Sequence, residues 1–255
     1  MRSGLATAAR ASALLDDDRP VEALAASDDA LASMPAPDSV PAAGQGADDG
    51  ATLAADRAAA HCTRGLALLA LGRYDEALGA WGQTVHWQPD AAPGHVNAAL
   101  CHLLLGRYAV GWPLYEWRTR RGGIRLPYRL EQPVWRGEPV AAGRRLALCW
   151  EQGLGDTIQF ARYAGVVAAL GIDVVLVVQE RLVRLLRGLQ PSVRVEADTA
   201  DLSDCDLQCS LLSLPAVLGT SLATLPVAER YLGVSDELRL TWRARIGADD
   251  FRIGI

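Results

Sequence analysis

The order of apolar and polar positions is most regular between Arg144 and Tyr163, in the stretch RRLALCWEQGLGDTIQFARY. Leu146, Leu148 and Trp150 alternate with Ala147 and Cys149. All five are apolar enough to bury on both faces, so the run predicts a central parallel strand. Gly153 and Gly155 follow, where a chain leaving a strand must turn sharply, and positive φ is expected there. Asp156 then reads as a helix N-cap, with Gln159 as its capping-box partner. Ile158, Phe160, Ala161, Ala164, Val167 and Ala168 supply the apolar face of the helix that follows.

Further strands and helices alternate downstream. Asp173–Gln179 is β-branched and apolar and predicts a second strand. Glu180–Leu189 predicts a helix, with leucines at 182, 185, 186 and 189. Val193–Val195 and Cys205–Cys209 predict two more strands, and Ser213–Gly219 a short helical turn. Ser235 is set to cap a helix running through Ile246, and Arg252–Ile255 opens another strand. Such alternation implies a parallel, doubly wound sheet. Ligands of open α/β sheets bind at the carboxyl ends of strands, so chemistry is expected near Glu151–Thr157. Because the sequence stops inside its last strand, it is expected to be incomplete.

The first half is organised as repeats. LGRY occurs at Leu71–Tyr74 and again at Leu105–Tyr108, 34 residues later. Gly65 and Leu68 supply a small and a large residue of a first helix, and Ala77 and Trp81 those of a second, which Pro89 ends. This resembles the tetratricopeptide repeat. The next unit keeps Ala99, Gly106, Tyr108 and Tyr115 in register, but has Gly111 where alanine is usual, and Pro113 inside its second helix. That helix is therefore expected to start late. A degenerate earlier copy aligns Arg19–Leu24 with Arg73–Leu78 and Pro35 with Pro89. The expected organisation is a degenerate repeat over 1–37, a flexible insertion over 38–57 whose last residues from about Leu53 are already helical, and two repeats over 58–122. A linker over 123–143, an α/β half over 144–247 and the opening strand of a second half over 248–255 complete it. A stack of such repeats leaves a groove suited to a polypeptide; serving only as a spacer is the alternative. Trp112, Tyr115 and Trp117, followed by Arg118, Arg120 and Arg121, read as a seam against the next domain. Trp135, among Pro127, Pro133 and Pro139, marks the linker as ordered.

Composition removes several classes. A net charge of −5 argues against nucleic acid as the main partner. No apolar run reaches the roughly 18 residues needed to span a bilayer. Arg10 and Asp16–Asp18 break any leader-like stretch, so a cytoplasmic location is expected. The five cysteines include no CxxC pair, and Cys205 and Cys209 lack a second pair at zinc spacing. They read as reduced, buried thiols, and no metal site is expected.

Repeats, GWPLYEWR, a Pro/Trp linker, EQGLGDTIQFARY and then CSLLSLP at Cys209–Pro215 together resemble bacterial proteins in which tetratricopeptide repeats are fused to a GT-B glycosyltransferase-like domain. The GLGD turn is similar to the first turn of the lipopolysaccharide heptosyltransferases. The resemblance implies tetratricopeptide helical repeats followed by one Rossmann-like half of a GT-B fold, the acceptor half, with the donor half missing. It implies inverting, metal-independent transfer from a nucleotide-sugar co-substrate to an acceptor hydroxyl, with no resident cofactor. Asp156 matches the expected general base. Glu151 and Gln152 are the expected acceptor contacts, Gly153 and Gly155 are expected to allow close backbone approach, and Thr157 completes the expected substrate-binding set. A non-catalytic interaction module is the alternative. A dinucleotide site is a weaker one: Ile158 stands where GxGxxG has its third glycine, and Glu180 would be the ribose-binding acid.

Overall fold

A computed structural model describes residues 2–36, 47–120, 131–189, 192–226 and 231–247. It divides into two units, Met1–Arg125 with Gly219–Ala223, and Leu126–Leu218 with Thr224–Ile255. The expected closing strand Arg252–Ile255 lies outside the described residues.

The first unit is helical: α1 (Arg2–Asp16), α2 (Pro20–Ser33), α3 (Ala47–Ala70), α4 (Tyr74–Trp87), α5 (Ala92–Leu104) and α6 (Tyr108–Tyr115), then a 3-10 turn over Glu116–Thr119. The three hairpin turns share one backbone solution. Asp18, Gly72 and Gly106 adopt φ of 58°, 73° and 71°. The next residue in each case, Arg19, Arg73 or Arg107, donates its N–H to a carbonyl five residues back, at 2.8–2.9 Å. This left-handed closure caps the last carbonyls of one helix and starts the next. Glycine adopts it without a Cβ penalty, and aspartate tolerates it. In the first two hairpins the arginine also pairs with the acid three residues on, Arg19 with Glu22 and Arg73 with Glu76.

Leu68, Ala77, Ala80, Trp81 and Cys101 form one core cluster, and Ala11, Leu14, Ala23, Ala26 and Ala67 another. Gly111 has a steric reason. A Cβ there would lie 2.7 Å from Leu103 and 3.1 Å from the Ala99 carbonyl, so α5 and α6 approach more closely than alanine allows. Two expectations are corrected. Helix α3 begins at Ala47, so much of the expected insertion over 38–57 is regular helix, and residues 37–46 lie outside the described ones. Helix α6 starts in full register at Tyr108; Pro113 does not delay it, and the chain tightens into the 3-10 turn after Tyr115. Of the expected seam, Trp117 stacks on His95 at 3.7 Å, and Trp112 meets Tyr108 and Tyr115, all inside this unit.

The second unit contains β1 (Arg145–Cys149), α7 (Leu154–Ala168), β2 (Asp173–Val178), α8 (Glu180–Leu186), β3 (Val193–Ala197) and β4 (Leu207–Ser210). A 3-10 turn over Leu211–Ser213, α9 (Leu214–Val217) and α10 (Asp236–Ile246) follow. All strand pairs are parallel, in the order β3-β2-β1-β4. The chain winds outward from β1 through β2 to β3, then returns to the other side of β1. The reversal between β1 and β4 creates the crevice where α/β sheets bind ligands. Every residue of β1 after Arg145 is buried, as the double-sided apolar run predicts. Ser235 accepts the Leu238 N–H at 3.3 Å, so the predicted cap of α10 is formed.

The expected linker over 123–143 is partly built into this unit. Val134 bridges Gln208 in parallel, the Trp135 N–H donates to the Gln208 carbonyl at 2.8 Å, and the Gln208 N–H donates to the Pro133 carbonyl at 3.0 Å. The Trp135 ring is 1% exposed. Proline is tolerated on such a sheet edge because no partner needs its missing N–H.

The amino end of the sheet is tied by ions. Arg145 reaches Asp173 at 2.8 Å and also Asp204, while Arg194 holds both Asp204 oxygens at 2.9 and 3.1 Å. The hydrogen bonds from Arg194 lower the Asp204 carboxyl to about 2. A carboxylate depressed in the fold adds stability that is complete above its ordinary value and is lost as pH falls through the folded one. Wild type is therefore expected to lose melting temperature between about pH 4 and pH 2 more steeply than Asp204→Asn, as calorimetry across that range would read.

Candidate functional site at the sheet switch point

Beyond Cys149 the first strand leaves the ladder by degrees. The Trp150 N–H still donates to the Val177 carbonyl at 3.0 Å. Glu151 then turns inward and is 5% exposed. Its Oε2 accepts a short hydrogen bond from the Ser210 hydroxyl at the end of β4, also buried. On the other side, Gln179 at the end of β2 donates its amide to the Gln152 carbonyl at 3.1 Å. Glu151–Gly153 is thus held from both flanking strands.

Helix α7 begins three residues earlier than its sequence implies. Gly153 is the N-cap, with φ −70° and ψ 172°. Asp156 is the third helical residue, and its Oδ2 accepts the Gly153 N–H at 3.0 Å. It is the acidic partner of a capping arrangement rather than the cap, and Gln159 has no part in it. Neither Gly153 nor Gly155 adopts positive φ. A Cβ on Gly153 would sit 3.2 Å from Asp156 Oδ2, a tight approach, whereas one on Gly155 would meet open space.

These positions sort the expected site residues. Gly153, Leu154 and Gly155 are exposed, and Gln152 and Asp156 are half-buried. Thr157 is fully buried, and its N–H and hydroxyl both donate to the Gly153 carbonyl at 3.1 and 3.2 Å. Thr157 and Glu151 therefore shape the turn from below, while Gln152, Gly153, Gly155 and Asp156 line its outer side. Glu180 opens α8 and is exposed. Ser210 and Gln179 were not among the expected contacts. The signal available for Ser210 was a lone hydroxyl at the carboxyl end of β4.

Among the described residues, no three His, Cys, Asp or Glu side chains gather as metal ligands do. All five cysteines are free thiols. Burial pushes the Cys149 thiol far above its ordinary range and raises Cys205 to about 11, which keeps both protonated and poor nucleophiles. The helical unit carries a separate groove of about 850 Å³, lined by Ala51, Ala55, Cys62, Trp87, Pro89 and Pro93, among others. No helix among the described residues is long and apolar enough to cross a membrane.

The chain is thus an array of helical hairpins followed by a parallel α/β unit with a glycine turn at its switch point. No family model matches it. Protein FlbA of Caulobacter vibrioides is 34% identical over 157 residues, which cover 59% of this chain and 26% of that protein. The chain therefore spans about a quarter of the length of this relative.

Proposed function

We propose that the α/β unit is the acceptor-side half of a cytoplasmic GT-B-type glycosyltransferase, and that the hairpins are tetratricopeptide repeats. One observation carries this reading. An exposed Gly-Leu-Gly turn opens a helix at the β1/β4 reversal, with the Asp156 carboxylate held at its mouth. In the reaction the acceptor oxygen attacks the anomeric carbon of a nucleotide-sugar, and the bond from that carbon to the phosphate oxygen breaks. The hydroxyl proton passes to Asp156 and the nucleoside diphosphate leaves. Asp156 Oδ2 is engaged by Gly153, which orients the carboxylate so that Oδ1 can take the proton. Gln152 and the backbone of Gly153–Gly155 supply acceptor contacts.

The groove in the helical unit favours a second reading, a polypeptide-binding module with the α/β unit as scaffold. The test is a titration of the intact protein with UDP-, GDP- and ADP-linked sugars, followed by assay of nucleoside diphosphate release. Saturable binding and release of one nucleotide are expected. No binding of any donor leaves the interaction module.

A further inference from the structure

The Glu151 carboxyl and the Ser210 hydroxyl are both about nine-tenths or more buried, and they face each other across neighbouring strands. Cys149, paired with Ser210 in the ladder, is 1% exposed, and Leu211, the residue after Ser210, 0%. Burying a carboxyl group is unfavourable without a good partner, and apolar residues of the same shape often serve stability as well. The pair therefore needs a reason other than stability, and its place in the topology supplies one. The last ladder register between β1 and β4 is Cys149 with Ser210. Glu151 lies two residues beyond it, so its hydrogen bond continues the connection past the end of backbone pairing. Gln179 does the same from β2, and Asp156 closes the loop from the front. A connection that would otherwise move freely is fixed at three points, and Asp156 hangs from it.

We propose that Glu151 and Ser210 are a positioning pair that fixes the Glu151–Gly153 loop and thereby aims the Asp156 carboxylate. They touch no substrate. The effect on turnover rests on the glycosyl-transfer reading, whereas the effect on the loop does not.

The test uses the intact protein in three variants, Ser210→Ala, Ser210→Thr and Glu151→Leu. Amide hydrogen exchange over 151–157 and nucleoside diphosphate release from the UDP-, GDP- and ADP-linked sugars are measured on each. Ser210→Ala is expected to speed exchange of these amides about tenfold, with β2 and α8 unchanged, and to lower kcat about tenfold at constant donor KM. Ser210→Thr, which keeps the hydroxyl, restores both. Glu151→Leu melts no lower than wild type yet shows the same faster exchange and lower kcat, which a merely structural pair would not produce. Unchanged loop exchange in Ser210→Ala and Glu151→Leu overturns the proposal, as does faster exchange with unchanged kcat. Faster loop exchange in a protein whose wild type releases no nucleotide upholds the loop fixation and removes the glycosyl-transfer reading instead.

Discussion

Trp81→Ala is expected to destabilise the helical unit by about 3–5 kcal/mol, the range for truncating a buried tryptophan. The ring has no exposed surface and packs with Leu68, Ala77, Ala80 and Cys101 at the joint of α3, α4 and α5. Its Nε1 donates to the Cys62 carbonyl at 3.3 Å. It also lies so close to Gly65 that a Cβ there would come within 2.4 Å of Nε1. The cavity cannot close cheaply, because three helices meet around it and the facing residue is already a glycine. Denaturant unfolding followed by far-ultraviolet circular dichroism measures the effect. A loss below about 1 kcal/mol would mean that the helices collapse onto the space, and that this joint does not define the stack.

Asp156→Asn is expected to lower turnover of the intact protein by about 100-fold or more with the fold retained, the usual scale for losing a general base. The amide oxygen of asparagine can still accept the Gly153 N–H, so the capping arrangement survives while the basic oxygen is lost. Asp156→Ala removes both, and an additional stability loss of about 1 kcal/mol is expected, typical of a lost cap. Steady-state rates beside melting curves separate the two roles. Unchanged turnover in Asp156→Asn excludes the base and leaves a helix cap.

The helical half was legible because its turns repeat a strict local requirement. Leu71–Tyr74 and Leu105–Tyr108 place glycine where the backbone goes left-handed, and Asp18 does the same in the degenerate copy. The bounds of α2 reproduce those of α4 at the sequence offset of 54 residues. The start of α3 was hidden because Ala47–Gly50 carries glycine and two aspartates without apolar periodicity. Strands β1 and β2 were legible from their double-sided apolar runs. The frame of the α7 cap was not. Aspartate suits both the cap and the third helical position, and only the backbone path at Gly153 decides between them. Ser210 was hidden for a different reason: its meaning lies in strand register, which brings together residues 59 positions apart.

The Pro133–Trp135 segment governs how the α/β half can be handled on its own. A fragment opened at Arg144 would uncover the outer edge of β4 and leave both backbone groups of Gln208 unpaired, a template for chain-to-chain aggregation. It would also leave the space now filled by the Trp135 ring open to water. Excision upstream of Pro133 keeps that border sealed.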